Sequence, residues 1–166
     1  MKRILITSFI FVTILAFFSS CERDDICAAA TVTTPKLVIE FFDINNPGNP
    51  KNVRDLVVSE VENDTTGLLF NSTSSIAVPL KTNDIETKYV FNLNANSETG
   101  GLVDTLTFSY ATDQLYVNRA CGFKVNFIDF RASIETEANP DSWIEDIRVR
   151  ENSIENEFET HIFIFY

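Results

Sequence analysis

Three cysteines, Cys21, Cys27 and Cys121, and a single histidine, His161, are the residues of this 166-residue chain best suited to covalent or proton-transfer chemistry. A thiol can be acylated, oxidised or bound to a metal, and an odd number of thiols in an exported chain asks which one has a separate fate. Cys21 stands apart because an apolar run ends on it. If Cys21 is consumed, Cys27 and Cys121 remain, and an oxidising compartment would join them. Two unpaired buried thiols are the alternative. A bridge closing a loop of roughly 100 residues would restrict the unfolded chain by about 4 to 5 kcal/mol.

His161 offers little for catalysis. Its neighbours two residues away are Glu159 and Phe163, and no local signature marks a serine or thiol as the nucleophile of a triad. We therefore expect no catalytic residue and no enzyme activity. With Cys27 and Cys121 joined, zinc would have only one histidine and carboxylates as ligands. Asp129 to Glu159 holds ten acids against Arg131, Arg148 and Arg150, without the Asp-x-Asp-x-Asp-Gly spacing of a calcium loop. These acids read as solvated loops and strand faces, and neither metal nor cofactor is expected.

The segment that positions Cys21 is the most informative in the chain. Lys2 and Arg3 precede an apolar stretch from Ile4 to Phe18, broken only by Thr7, Ser8 and Thr13, which is the plan of an export signal. It is shorter than the roughly 18 to 20 apolar residues of a spanning helix, so an uncleaved anchor is the weaker reading. Ser19-Ser20-Cys21 then resembles the end of a bacterial lipoprotein signal, although Phe18 and Ser20 depart from the commonest pattern. That resemblance implies removal of residues 1–20 and lipidation of Cys21, with each buried methylene contributing about 0.8 kcal/mol to attachment. Residues 21–34 would form a lipidated acidic linker. Its Glu22-Arg23-Asp24-Asp25 resembles a sorting signal that sends lipoproteins of some Gram-negative phyla to the outer face of the outer membrane. The expected address is the outer membrane, on its periplasmic or cell-surface face.

Charge narrows the partners. The formal net charge is −11, and loss of residues 1–20 takes Lys2 and Arg3 but no acid, so −11 becomes −13. Nucleic acid is disfavoured, because its binders neutralise phosphates with clustered cations. Simple electrostatic docking on anionic lipid is disfavoured for the same reason.

From Lys36 onward, period-two alternation and β-branched or aromatic runs predict short strands. Lys36 to Ile44 is the first, ended by a loop through Asn45-Asn46-Pro47-Gly48-Asn49-Pro50. Val53 to Val61 follows, with a turn at Asn63 to Gly67 and a short strand at Leu68 to Asn71. Pro79 withholds a ladder donor and places Ser75 to Thr82 at an edge or a bulge. Tyr89, Phe91 and Leu93 point inward, as do Leu106, Phe108 and Tyr110. Leu115 to Val117 leads to Cys121 and Gly122, a turn or bulge before a strand continued by Phe123, Val125 and Phe127. Glu135 to Asp141 is a polar loop, and strands at Trp143 to Val149 and His161 to Tyr166 close the chain. Residues 35–166 thus read as one all-β domain, an immunoglobulin-like or related antiparallel sandwich of roughly eight or nine strands. A small β-barrel is the alternative.

Asp64-Thr65-Thr66 and Asp104-Thr105-Leu106 resemble the acceptor motif of a bacterial O-glycosylation system, which would make Thr65, in its expected turn, the better candidate. Finally, Asp24-Asp25-Ile26-Cys27, Thr34-Pro35-Lys36-Leu37-Val38-Ile39, Ser75-Ile76-Ala77-Val78-Pro79-Leu80, Arg119-Ala120-Cys121-Gly122 and Ile154-Glu155-Asn156-Glu157 together resemble a family of small bacterial outer-membrane lipoproteins carrying a domain of unknown function. The resemblance implies a lipid on Cys21 and supports Cys27 and Cys121 as partners. It implies no activity. The functional expectation is a noncatalytic binding or assembly module, held on the membrane through Cys21 and facing an envelope protein or glycan. A carrier or sensor of a small apolar ligand in a barrel cavity, and an enzyme of unknown reaction, are the alternatives.

Overall fold

The computed structural model describes residues 26–98, 100–135 and 142–166, apart from the side chains of residues 63–66. The expected export signal, Cys21 and the acidic tetrapeptide lie outside the described residues, as does most of the polar loop expected at Glu135 to Asp141. Among the described residues the chain is all β, with ten strands: β1 Leu37–Asp43, β2 Asn46–Pro50, β3 Leu56–Glu60, β4 Asn63–Phe70, β5 Ser75–Val78, β6 Glu86–Leu93, β7 Leu102–Asn118, β8 Gly122–Ile134, β9 Asp146–Val149 and β10 Ile162–Phe165. No helix there is long and apolar enough to cross a membrane.

The strands form two sheets. One runs β2-β1-β10-β9, with β5 also paired to β1, and the other runs β4-β3-β6-β7-β8. Neither sheet closes on itself, so the fold is a sandwich and the barrel alternative is set aside. The alternation of side chains along extended backbone decides which residues meet between the sheets. In β6 it is strict: Thr87, Tyr89, Phe91 and Leu93 are buried and their neighbours only half-buried. β7 continues it with Asp104, Leu106, Phe108 and Tyr110, and β1 supplies Leu37, Ile39 and Phe41 from the facing sheet. Phe108 stacks on Phe130 with ring centroids 5.8 Å apart, and Tyr110 meets Phe127 edge-on at 4.9 Å.

The first and last strands lie side by side. β10 pairs in parallel with β1, Ile39 opposite Ile162 and Phe41 opposite Ile164. On the outer face of this pair Phe42 packs against Phe163 at 4.9 Å and Phe165 at 5.7 Å. This explains why both ends of the chain carry apolar residues on both faces: inner residues fill the core and outer ones cover one another. β5 pairs antiparallel with β1 and ends just before Pro79, consistent with the missing donor there.

Several boundaries differ from expectation. Asn46–Pro50 is a fully exposed strand paired to β1 rather than a loop, because an edge strand bonded on one side tolerates its prolines. The turn expected at Asn63 to Gly67 falls at Val61 and Glu62, and Asn63 already begins β4. Leu102–Asn118 is one long strand rather than two short ones. Phe123, at the start of β8, is 66% exposed, and the inward face of that strand begins at Val125. Further along, Asp129 takes a positive φ of 54° and turns Ile128 and itself to solvent before Phe130 returns to the core. Strict alternation from Phe127 would have missed this irregularity.

The described residues form two compact units: Ile26 to Thr31 with Tyr116–Phe123, and those of Val32–Leu115 with those of Lys124–Tyr166. The buried core described above belongs entirely to the second unit. Part of the expected linker, Ile26 to Thr31, therefore groups with the hairpin end rather than standing alone.

Candidate functional site

The smaller unit is built around the turn between β7 and β8. Asn118 ends β7 and its side-chain Oδ1 accepts hydrogen bonds from the backbone N–H groups of Ala120, at 2.9 Å, and Cys121, at 2.8 Å. This is the local turn for which asparagine is well suited. Gly122 completes the reversal with φ of 71° and open space around it, a conformation that costs a side-chain-bearing residue more than glycine. The turn presents Cys121, whose Cα stands 4.8 Å from that of Cys27, and the two sulfurs are at disulfide distance across 94 residues. On either side of the turn Tyr116 and Phe123 face each other edge-on, ring centroids 5.4 Å apart. Both are exposed, at 62% and 66%, and Ile26 beside Cys27 is exposed at 79%.

Asn118 was not among the residues singled out from sequence, although asparagine two residues before Ala120 is itself a turn signal. Cys21 lies outside the described residues. Thr65 sits in β4 rather than in a turn. Thr105 is also in a strand, opposite Val90, and its preceding acid is committed to the interior. That acid, Asp104, is 3% exposed, and its Oδ2 accepts the backbone N–H groups of Trp143 and Ile144, each at 2.8 Å. The Trp143 indole N–H in turn donates to the Phe91 carbonyl at 3.2 Å. Asp104 shares the inward register of Leu106, Phe108 and Tyr110, so its burial was legible in the strand pattern.

His161 is buried and tied to structure. Its Nδ1 accepts the backbone N–H of Val38 at 2.9 Å, while its backbone N–H donates to the Val38 carbonyl at 3.0 Å and its backbone carbonyl accepts from the Arg150 N–H at 2.8 Å. Burial lowers its pKa below the ordinary 6.5, against the opposing effects of a hydrogen bond with the Asn156 backbone and the charges of Glu159, Glu151 and Glu157. A lowered folded-state pKa means that the unfolded chain binds the proton more readily. The contribution to stability is full above about pH 6.5 and is lost as pH falls through that value toward the lowered one. We expect the unfolding free energy to fall between pH 7 and pH 5 by at most about 1.4 kcal/mol per pH unit from this group. His161→Asn should flatten that slope in urea titrations, and an unchanged slope would refute the assignment.

Charged side chains line two surface clefts. In one, of about 390 Å³, Lys81 pairs with Glu60 and Glu62 and Lys88 with Glu86 and Glu135. The hydrogen bonds that Lys81 donates to Glu60 and then to Glu62 hold its pKa well above the ordinary value. Beneath it, the Tyr89 and Tyr110 hydroxyls donate to the carbonyls of Pro79, at 2.7 Å, and Lys81, at 2.9 Å. Burial pushes Tyr89 up to about 12. The other cleft, about 550 Å³, is lined by Glu40, Arg150, Glu151, Glu159, Thr160 and Phe163. Among the described residues no three His, Cys, Asp or Glu side chains converge as metal ligands.

The model of a family of unknown function, DUF6452, matches residues 55–166. No curated protein and no solved structure matches the chain.

Proposed function

The chain belongs to this family of unknown function, and on that premise we propose that it is a lipid-anchored envelope protein, a noncatalytic binding or assembly module at the outer membrane of a Gram-negative bacterium. The observation that carries this reading is the spacing of the cysteines. Cys21 ends the apolar run, and only six residues later Cys27 stands at disulfide distance from Cys121. An acyl chain on Cys21 and a bridge at Cys27 would fasten the folded domain to the bilayer by a short covalent path. The lipid raises the local concentration of the domain at the membrane, so a weak contact with an envelope protein or glycan suffices for function.

The nature of the surface supports a binding module over the alternatives. Side chains of both sheets fill the interior, whereas the clefts are open and charged. A carrier of apolar ligands calls for an enclosed apolar cavity instead. His161, the residue most open to a catalytic reading, has its Nδ1 committed to the Val38 backbone.

Cys21→Ala in the exported protein should abolish labelling by radioactive or alkyne-bearing fatty acid and move the protein out of the membrane fraction. Unchanged labelling and attachment would overturn the anchor. Protease accessibility on intact cells then assigns the face of the membrane, and crosslinking from intact envelopes identifies the partner.

A further inference from the structure

The smaller unit carries an exposed aromatic tip with no partner assigned to it, and we infer that Tyr116 and Phe123 insert into the interfacial layer of the bilayer beside the anchor. This rests on the lipid-anchor reading above. Three observations converge on a lipid surface as the occupant.

The first is reach. The bridge distance ties Cys27 to the turn that holds Cys121, and six residues from Cys21 to Cys27 span at most about 20 Å when fully extended. An acyl group on Cys21 therefore keeps the hairpin end within that distance of the headgroups. The second is side-chain type. Tyr116 and Phe123 are 62% and 66% exposed and pack edge-on against each other. A paired tyrosine and phenylalanine present apolar faces with one hydroxyl, a combination suited to the boundary between headgroups and acyl chains. The third is charge. In a chain of net charge −11, the described residues of this unit, Ile26 to Thr31 and Tyr116 to Phe123, contain no acid and one cation, Arg119. The acids of the tether, Glu22, Asp24 and Asp25, are offset only by Arg23, so contact with lipid here is apolar rather than electrostatic. Ile26, next to Cys27, adds a third exposed apolar group.

The test uses the lipidated protein, extracted from membranes and reconstituted in phosphatidylcholine vesicles, with F123W as the reporter. Its emission is read against the parent, whose Trp143 is buried and provides the baseline. Phe158 is 94% exposed and lies in the other unit, which makes F158W the control. The expected result is a blue shift of the added F123W emission and its loss when the acyl chains are brominated near the headgroups, with F158W emission unaffected. Intact mass on the same samples reports acylation of Cys21. Acylated protein with no quenching of F123W overturns the insertion and leaves the anchor standing. Equal quenching of F123W and F158W also overturns it, because contact would then not be specific to the tip. Absence of quenching together with a dimer by light scattering assigns the aromatic pair to a second copy instead. Absence of acylation overturns the anchor, and the inference with it.

Discussion

Replacing Asp104 by alanine is expected to destabilise the protein by about 3 kcal/mol, one of the largest effects available to a single substitution here. The carboxylate is buried between the sheets and accepts two backbone N–H groups, those of Trp143 and Ile144, on one oxygen. Alanine removes the acceptor and leaves both donors buried without it, and an unsatisfied buried donor costs about 1 to 3 kcal/mol. The loss extends to packing, because Trp143 is held against Phe41 at 6.2 Å and Tyr166 at 5.0 Å by the segment that Asp104 secures. Asp104→Asn retains an amide oxygen of nearly the same shape and should recover part of the loss. Urea denaturation monitored through Trp143 distinguishes the two, since alanine should shift the midpoint markedly and asparagine less. A D104A midpoint indistinguishable from the parent would show that these bonds are not what secures the segment.

The second large effect is expected from separating Cys27 and Cys121. In the chain-entropy account a loop of this length is worth about 4 to 5 kcal/mol. The native state gives some of that back here. Ile26 to Ala30 are all exposed, so on loss of the bridge they regain conformational freedom in the folded protein too, and ordering entropy amounts to about 1 to 2 kcal/mol per residue of backbone. The net loss for the C27A/C121A double variant should therefore be about 2 to 4 kcal/mol. Reductant added to the parent should reproduce it and have no effect on the variant. Nonreducing peptide mapping is the direct check, and finding both thiols free in the exported protein would remove the bridge from the account.

These two predictions draw on different kinds of information. Asp104 belongs to an uninterrupted alternation, Asp104, Leu106, Phe108 and Tyr110, in which a strand must place all four on one face. The same periodicity revealed Tyr89, Phe91 and Leu93, and with them the all-β class. It failed where the alternation is broken by geometry rather than composition. The positive φ at Asp129 and the exposed Phe123 follow from backbone irregularity and strand ends, neither of which alters the residue pattern enough to read. Proline and glycine in Asn46–Pro50 likewise signalled a loop, because composition cannot tell an edge strand bonded on one side from a turn.

What the sequence determined by itself was the local part: an apolar run that ends at Cys21, a fold class set by alternation, and a cysteine count that leaves Cys27 and Cys121 over once Cys21 is set apart. Those depend on neighbours along the chain and on elementary thiol chemistry. Only the tertiary structure decided that the first and last strands pair in parallel, that Asp104 answers Trp143 and Ile144 from 39 and 40 residues away, and that His161 serves Val38 across 123 residues. Such contacts are chosen by which sheet faces can bury together, and no local pattern encodes a partner so distant. The exposed pair Tyr116 and Phe123 belongs to the same class. Each reads as an ordinary strand aromatic until the fold leaves both exposed on either side of the turn that holds Cys121.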